Sequence, residues 1–318
     1  MEPELIRDVL SMHTVFRKPR VHALGKQPAS GLFFLEGEKW AKHRKIINPA
    51  FRLEKLKNML PAFHLSCSDM ISKWERKLST EGSCEMDREQ AQLLVQFSQS
   101  ACIPGWRFLP TKSNKRMKQN RKEVNELLWG IIDKREKAMK AGETLNDDLL
   151  ETTSVLLLWT MVLLSKHPNW QARAREEVMM ILHEVLRLYP PVPLLARTVY
   201  EDIQVGDMYL PAGVDVSLPT ILVHHDHEIL GRNAREFNPE RFSQGALKAT
   251  KSLVSFFPFG WGSRLCIGQN FAILEAKMVL AMILQRFSFS LSPSYSHAPC
   301  SLVTLKPQYG AHLILHGI

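Results

Sequence analysis

Residues 259–268 read Phe259-Gly260-Trp261-Gly262-Ser263-Arg264-Leu265-Cys266-Ile267-Gly268. A cysteine stands in a loop with three glycines, just before a strongly apolar segment, Phe271 to Arg286, whose pattern predicts a helix. Glycine lets the backbone approach a flat ligand and take up positive φ. A cysteine at a helix N-terminus has its thiolate favoured by free N–H groups and the helix dipole. Arg264, two residues earlier, is placed to meet a carboxylate of the same ligand. The bland alternative is a buried core cysteine, the usual fate of this residue type. Phe259, Gly262, Arg264, Cys266 and Gly268 together, at this spacing, favour the ligand reading.

Upstream, Pro190-Pro191 ends a helix over 179–189, and the periodicity then turns strand-like. Ile203 and Val205 alternate before Gly206-Asp207, and Val214 and Val216 alternate after Pro211-Ala212-Gly213, as in short hairpins. The tail, from Leu302 to His316, predicts a final β-hairpin. Before residue 179 the chain reads as helical: Glu36 to Ile47, 53–80, 122–140, Asp147 to Leu164, and a charged helix from Asn169 to Val178. The expected fold class is mainly α with a small β region.

Composition limits what this architecture can serve. Of 318 residues, 45% are apolar and 23% charged, which excludes disorder as the general description. No apolar run reaches the ~18 residues a membrane-spanning helix needs. Five scattered cysteines argue against a disulfide framework and for a reducing compartment. The net charge of +9 includes six basic side chains within residues 111–122. Lacking interleaved aromatics, that run argues against nucleic acid; it reads as a solvated face, or one near a membrane surface or an acidic reductase. His224, His225, Asp226 and His227 suggest a metal site at first sight. Adjacent side chains point different ways and no second cluster supports one, so a solvated turn is expected.

The complete F-x-x-G-x-R-x-C-x-G spacing resembles the haem-binding loop of the cytochrome P450 family, the haem-thiolate monooxygenases. Glu184 and Arg187, three apart on a helix flanked by Leu182, Val185, Leu186 and Leu188, resemble that family's E-x-x-R pair. Arg241, in Pro239-Glu240-Arg241-Phe242, resembles its P-E-R-F arginine. The resemblance implies a structural network of Glu184, Arg187 and Arg241 beneath the haem. Trp40-Ala41-Lys42-His43-Arg44 resembles the W-x-x-x-R helix whose side chains meet a haem propionate; an amphipathic surface helix is the other reading. Arg197 resembles a further propionate arginine, with Leu194 and Leu195 beside the substrate or simply in the core. Glu151-Thr152-Thr153 resembles the end of the oxygen-activating A-G-x-E-T-T segment, although Leu149 and Leu150 stand where its Ala-Gly pair would be.

The resemblance covers nearly the whole chain and is closest to a plant group that includes secologanin synthase and triterpenoid oxidases. It implies an incomplete cytochrome P450 fold in one domain, 1–318, without the N-terminal anchor and with internal losses near 87/88, 148/151 and 178/179. It further implies heme b (iron protoporphyrin IX) bound through Cys266, with Trp40, Arg44, Arg197, Phe259, Gly262, Arg264 and Gly268 around it. Glu151 and Thr152 would relay protons to O2, and NADPH-cytochrome P450 reductase would supply electrons. The substrate would be an apolar small molecule, terpenoid-like, and the setting the cytosolic face of the endoplasmic reticulum membrane. The alternative is a non-catalytic remnant that binds haem poorly.

Overall fold

The computed structural model describes residues 2–19, 32, 35–58, 60–81, 84–86, 150–174, 177–250, 253–301 and 304–318. The helix expected over 122–140 lies outside these residues, as does the basic run 111–122. The chain divides into two units, 1–91 with 151–318, and 92–150; the following concerns the first.

Its helices are α1 (Pro3–Ser11), α2 (Gly37–Ile47), α3 (Leu53–Lys57), α4 (Leu60–Glu81), α5 (Leu150–Lys166) and α6 (Pro168–Arg173), followed by α7 (Val178–Leu188), α8 (Thr220–Val223), α9 (His227–Leu230) and α10 (Gln269–Leu284). The strands are β1 (Phe16–Arg17), β2 (Cys84–Met86), β3 (Leu195–Val199), β4 (Ile203–Val205), β5 (Met208–Leu210), β6 (Asp215–Leu218), β7 (Phe287–Leu291), β8 (Pro299–Ser301), β9 (Leu305–Pro307) and β10 (Ala311–Gly317). Mainly helical with a small β region is thus the observed class.

Two cores organise the unit. The larger joins α5, α7 and α10 through Leu156, Trp159, Ile181, Val185, Leu280 and Ile283, with β7 and β10 adding Phe287, Phe289, Leu313 and Leu315. Apolar residues surround α5 and α10 on nearly every face, as buried helices require. Thr160, which interrupts the apolar run of α5, folds its hydroxyl back onto the Leu156 carbonyl at 2.7 Å, so its burial leaves no unpaired donor. The second core joins α1 to β1, β3 and the hairpin, through Ile6, Val9, Leu10, Phe16, Val199 and Val205.

Three expectations need correction. The charged helix over 169–178 ends at Arg173, and Val178 already opens the next helix. The strand with Val216 does not close a local hairpin: β6 pairs antiparallel with β3, which pairs with β1. Only β4 and β5 form the expected local hairpin, across Gly206-Asp207. In the tail, β8 pairs with β9, while β10 pairs with β7 and β2. The alternation in 311–317 records a strand with one core-facing side, which does not identify its partner.

Candidate functional site: the Cys266 loop

The loop before α10 is closed by its own backbone. The Cys266 N–H donates to the Phe259 carbonyl at 2.9 Å, and the Leu265 N–H to the Gly262 carbonyl at 3.1 Å. Gly260 and Gly262 adopt φ of +77° and +68°, where a side chain would be strained. A Cβ on Gly262 would stand 3.1 Å from the Leu10 carbonyl oxygen, so α1 lies directly against the loop. Phe259 packs on the larger core. Cys266 is exposed on one side. Dense protein on its other sides pushes the thiol pKa up, while the Gly268 and Gln269 N–H groups and the Arg44 charge oppose that rise.

Beside the loop, cations outnumber anions. The Arg264 guanidinium pairs with the Glu36 carboxylate and lies 3.8 Å over the Trp40 ring. It also donates to the Leu35 carbonyl at 3.4 Å. Arg44, one helical turn beyond Trp40 on α2, is half-buried, and Arg197 on β3 is buried. Lys18 donates from its backbone N–H to Glu36 at 3.4 Å and from Nζ to the Leu32 carbonyl at 3.2 Å. Burial and the neighbouring arginines push Lys18 down to about 8 against the pull of Glu36. Burial first, then Arg264, lowers Arg197. Three cations, Lys18, Arg197 and Arg264, thus share one carboxylate, and the Arg44 charge acts on Lys18 and Arg264 as well, an arrangement that disfavours every added positive charge.

These residues fit an iron porphyrin carrying two carboxylates. A sulfur donor at a helix N-terminus is open on one side, the glycine loop permits close approach, and the excess positive charge matches two propionates. Trp40, Arg44, Arg197 and Arg264 are brought together on the side of Cys266.

Beneath the loop, Glu184 and Arg187 form a fully buried bidentate pair, with both contacts at 2.7 Å. Arg187 also donates to the carbonyls of His224 (2.8 Å), Glu236 (3.1 Å) and Ala234, and the Asn238 N–H donates to Glu184 at 2.8 Å. Such a pair is tolerable because every remaining donor and acceptor is met. Arg241 stands 3.9 Å from Glu184 and spends its hydrogen bonds on Leu230 and Asn233.

His224 is not in a solvated turn as the sequence suggested: it is wholly buried. Its Nε2 accepts from the Phe257 N–H at 3.0 Å, so it links Arg187, through its own carbonyl, to the start of the Cys266 loop. Burial, reinforced by Arg187, pushes its pKa down to about 3 and keeps it neutral. His225 is half-buried and bonds the Leu188 carbonyl at 3.0 Å. His224 read as solvated because the sequence does not show that Phe256 and Phe257 pack against its ring, with Phe242 behind Phe256.

The remaining residues expected at the site lie on α5. Thr152 is exposed, and the Glu151 side chain lies outside the described residues. Its neighbour Thr153 is buried and hydrogen-bonds Glu275 of α10, a contact that no sequence spacing indicated. Lys18 and Glu36 were missed as well; each is an ordinary charged residue until the fold brings it to Arg264. Exposed Leu194 and half-buried Leu195 sit at the start of β3.

Comparison with known proteins identifies the family. The cytochrome P450 family model matches residues 1–129 and 178–312. Cytochrome P450 CYP72A219 of Panax ginseng is 50% identical, the alignment covering 100% of this chain and 79% of the relative. Cytochrome P450 72A11 of Arabidopsis thaliana is 46% identical with the same coverage. The 11-oxo-beta-amyrin 30-oxidase of Glycyrrhiza uralensis is 44% identical over 100% of this chain and 78% of its own length. With identity at this level across the whole chain, and the Cys266 loop in place, the chain belongs to the cytochrome P450 family, the haem-thiolate monooxygenases.

Proposed function

We propose that this chain places one oxygen atom from O2 into an apolar, terpenoid-like small molecule, with electrons delivered from NADPH by NADPH-cytochrome P450 reductase. The observation that supports it best is the open Cys266 sulfur at the N-terminus of α10, with the Arg44 charge acting on it and three further cations, Lys18, Arg197 and Arg264, sharing one carboxylate nearby. When bound, heme b supplies the iron at which oxygen is reduced. Cys266 would hold it through its thiolate sulfur, which the Gly268 and Gln269 N–H groups favour. Phe259, Gly262 and Gly268 would shape the loop, and Trp40, Arg44, Arg197 and Arg264 would hold the propionates. Glu184, Arg187 and Arg241 would act as scaffold beneath it. Glu151 and Thr152 would hold and pass protons on the opposite side. The terpenoid class is supported by the relative whose name is 11-oxo-beta-amyrin 30-oxidase. A setting on the cytosolic face of the endoplasmic reticulum membrane rests on family membership; among the described residues no helix is long and apolar enough to cross a membrane.

We read the chain as a single domain, 1–318, with internal losses near 87/88, 148/151 and 178/179. The ginseng alignment runs over 409 positions against 318 residues here, which supports that reading. The exposed Thr152 lies outside the family-model match and favours a second reading, a remnant without catalysis. A carbon monoxide difference spectrum of the reduced, haem-loaded chain tests the first. A thiolate-type Soret band that disappears in Cys266→Ser is expected; a chain that takes up no haem overturns it.

A further inference from the structure

Glu275 sits on α10, more than two turns beyond Cys266, and is 9% exposed. One carboxyl interaction is with Thr153 of α5, itself 2% exposed, while the second oxygen, Oε2, has no hydrogen-bond partner. A buried carboxyl with one orphan oxygen is costly unless it stays neutral or does something that offsets the cost. Among the described residues no ion pair reaches this carboxyl. Of the helices packed on α10, α3 keeps Glu54, Lys55 and Lys57 exposed, α7 brings half-buried His183 and the pair Glu184 and Arg187, which neutralise each other, and α4 brings the buried Cys67 thiol with exposed His64, Glu75 and Arg76. Burial pushes the Glu275 carboxyl up to about 7, with the Thr153 hydrogen bond opposing the rise. The location matters as much as the cost. α10 begins immediately after the Cys266 loop, and α5 carries Thr152 next to Thr153, so the contact joins the helix behind the thiolate to the helix of the proton relay.

We propose that the Glu275 carboxyl, through Thr153, is a positioning group that fixes Thr152 in register with the Cys266 loop. The inference rests on the haem-thiolate reading above for what lies between the two helices, but the contact itself does not. In its neutral form the carboxyl O–H can donate to the Thr153 hydroxyl or its carbonyl oxygen can accept from it, and glutamine offers the same pair of roles. Apolar side chains elsewhere along α5 and α10 give attraction without direction, whereas this hydrogen bond selects one rotation and one axial setting of α5. Glu275 touches none of the reacting groups and works only through its neighbour.

The test uses the full chain at pH 6, with Glu275→Gln, Glu275→Ala and Thr153→Val beside the native protein. Hydrogen exchange of the α5 amides next to Thr153 is compared with that of α7, and the association rate of carbon monoxide is measured in the reduced haem-loaded chain. Loss of one such hydrogen bond should speed α5 exchange about tenfold in Glu275→Ala and Thr153→Val, leave α7 unchanged, and be restored in Glu275→Gln. The carbon monoxide rate should shift in the same two variants and return in the third. Unchanged α5 exchange, or equal acceleration in α7, overturns the proposal. So does an altered exchange with a native carbon monoxide rate, because Thr152 would then be insensitive to the contact. Failure of the haem reading shows separately, as a missing thiolate band in the native chain.

Discussion

At Gly262 two independent constraints fall on one residue. Its φ of +68° suits glycine, and a Cβ would meet the Leu10 carbonyl at 3.1 Å. Gly262→Ala should therefore lower stability by about 1–2 kcal/mol, the usual cost of left-handed backbone in a residue with a side chain, more if α1 cannot yield. Urea unfolding measures it; a loss under half that amount would mean the loop adapts without cost. Glu275 gives a pH dependence. Its pKa is raised to about 7 from 4.5, so the folded chain binds the proton more tightly than the unfolded chain. The stability this contributes is fully present below about 4.5 and lost as pH rises through about 7. His224 runs the other way: its pKa falls from 6.5 to about 3, so its contribution is present above 6.5 and lost as pH falls towards 3. The two oppose each other, so the Glu275 share must be read from a difference. Glu275→Gln should match the native chain near pH 4.5 and exceed it at pH 8 by up to about 3 kcal/mol. A pH-independent difference would show that folding leaves the carboxyl pKa unshifted.

At the scale of elements, α7 and the segments over it form one polar assembly inside an apolar core. Glu184→Ala would leave the Arg187 charge fully buried and unpaired, at a cost of about 3–5 kcal/mol. The loss should appear in thermal unfolding of the full chain without any ligand; a change below about 1 kcal/mol would show that water replaces the carboxylate. Here the sequence was informative to different depths. Glu184 and Arg187 were legible because three-residue spacing amid leucines places two charges on a buried helical face. His224 was not: Phe256 and Phe257 pack against it from more than thirty positions away, and its bond to Phe257 spans 33 positions. The hairpin β4–β5 was legible from its own turn residues, while β6 and β10 were assigned local partners because alternation fixes a strand's inward face and says nothing about its neighbour. The end of the charged helix at Arg173 was missed because its polar residues fit a solvated helix and a turn equally well.

Across the described residues, buried charge takes two forms: the neutralised pair of α7, and an excess of positive charge, buried Arg197 included, that gathers beside Cys266. Lys18, Arg44, Arg197 and Arg264 come from four separate parts of the chain, which is why only the three arginines with recognisable surroundings were legible. Holding them together opposes folding through burial first and mutual repulsion second, which together lower the pKa of Lys18 and Arg197. A dianionic ligand that binds only the folded chain removes that repulsion and stabilises by mass action. At a hundredfold excess over its dissociation constant, haem should raise unfolding free energy by roughly 2.7 kcal/mol. Haem with both propionates esterified keeps the iron and the flat ring but loses the charges, so at equal concentration it should stabilise much less. The gap should narrow as salt screens the exposed part of the cluster, leaving the buried share, Arg197 above all, in place. Arg197→Met should erase most of the gap between the two porphyrins without abolishing the thiolate band. Equal stabilisation by haem and its ester would mean that the cations serve the Glu36 segment alone, and that the ring is held by Cys266 and apolar contact.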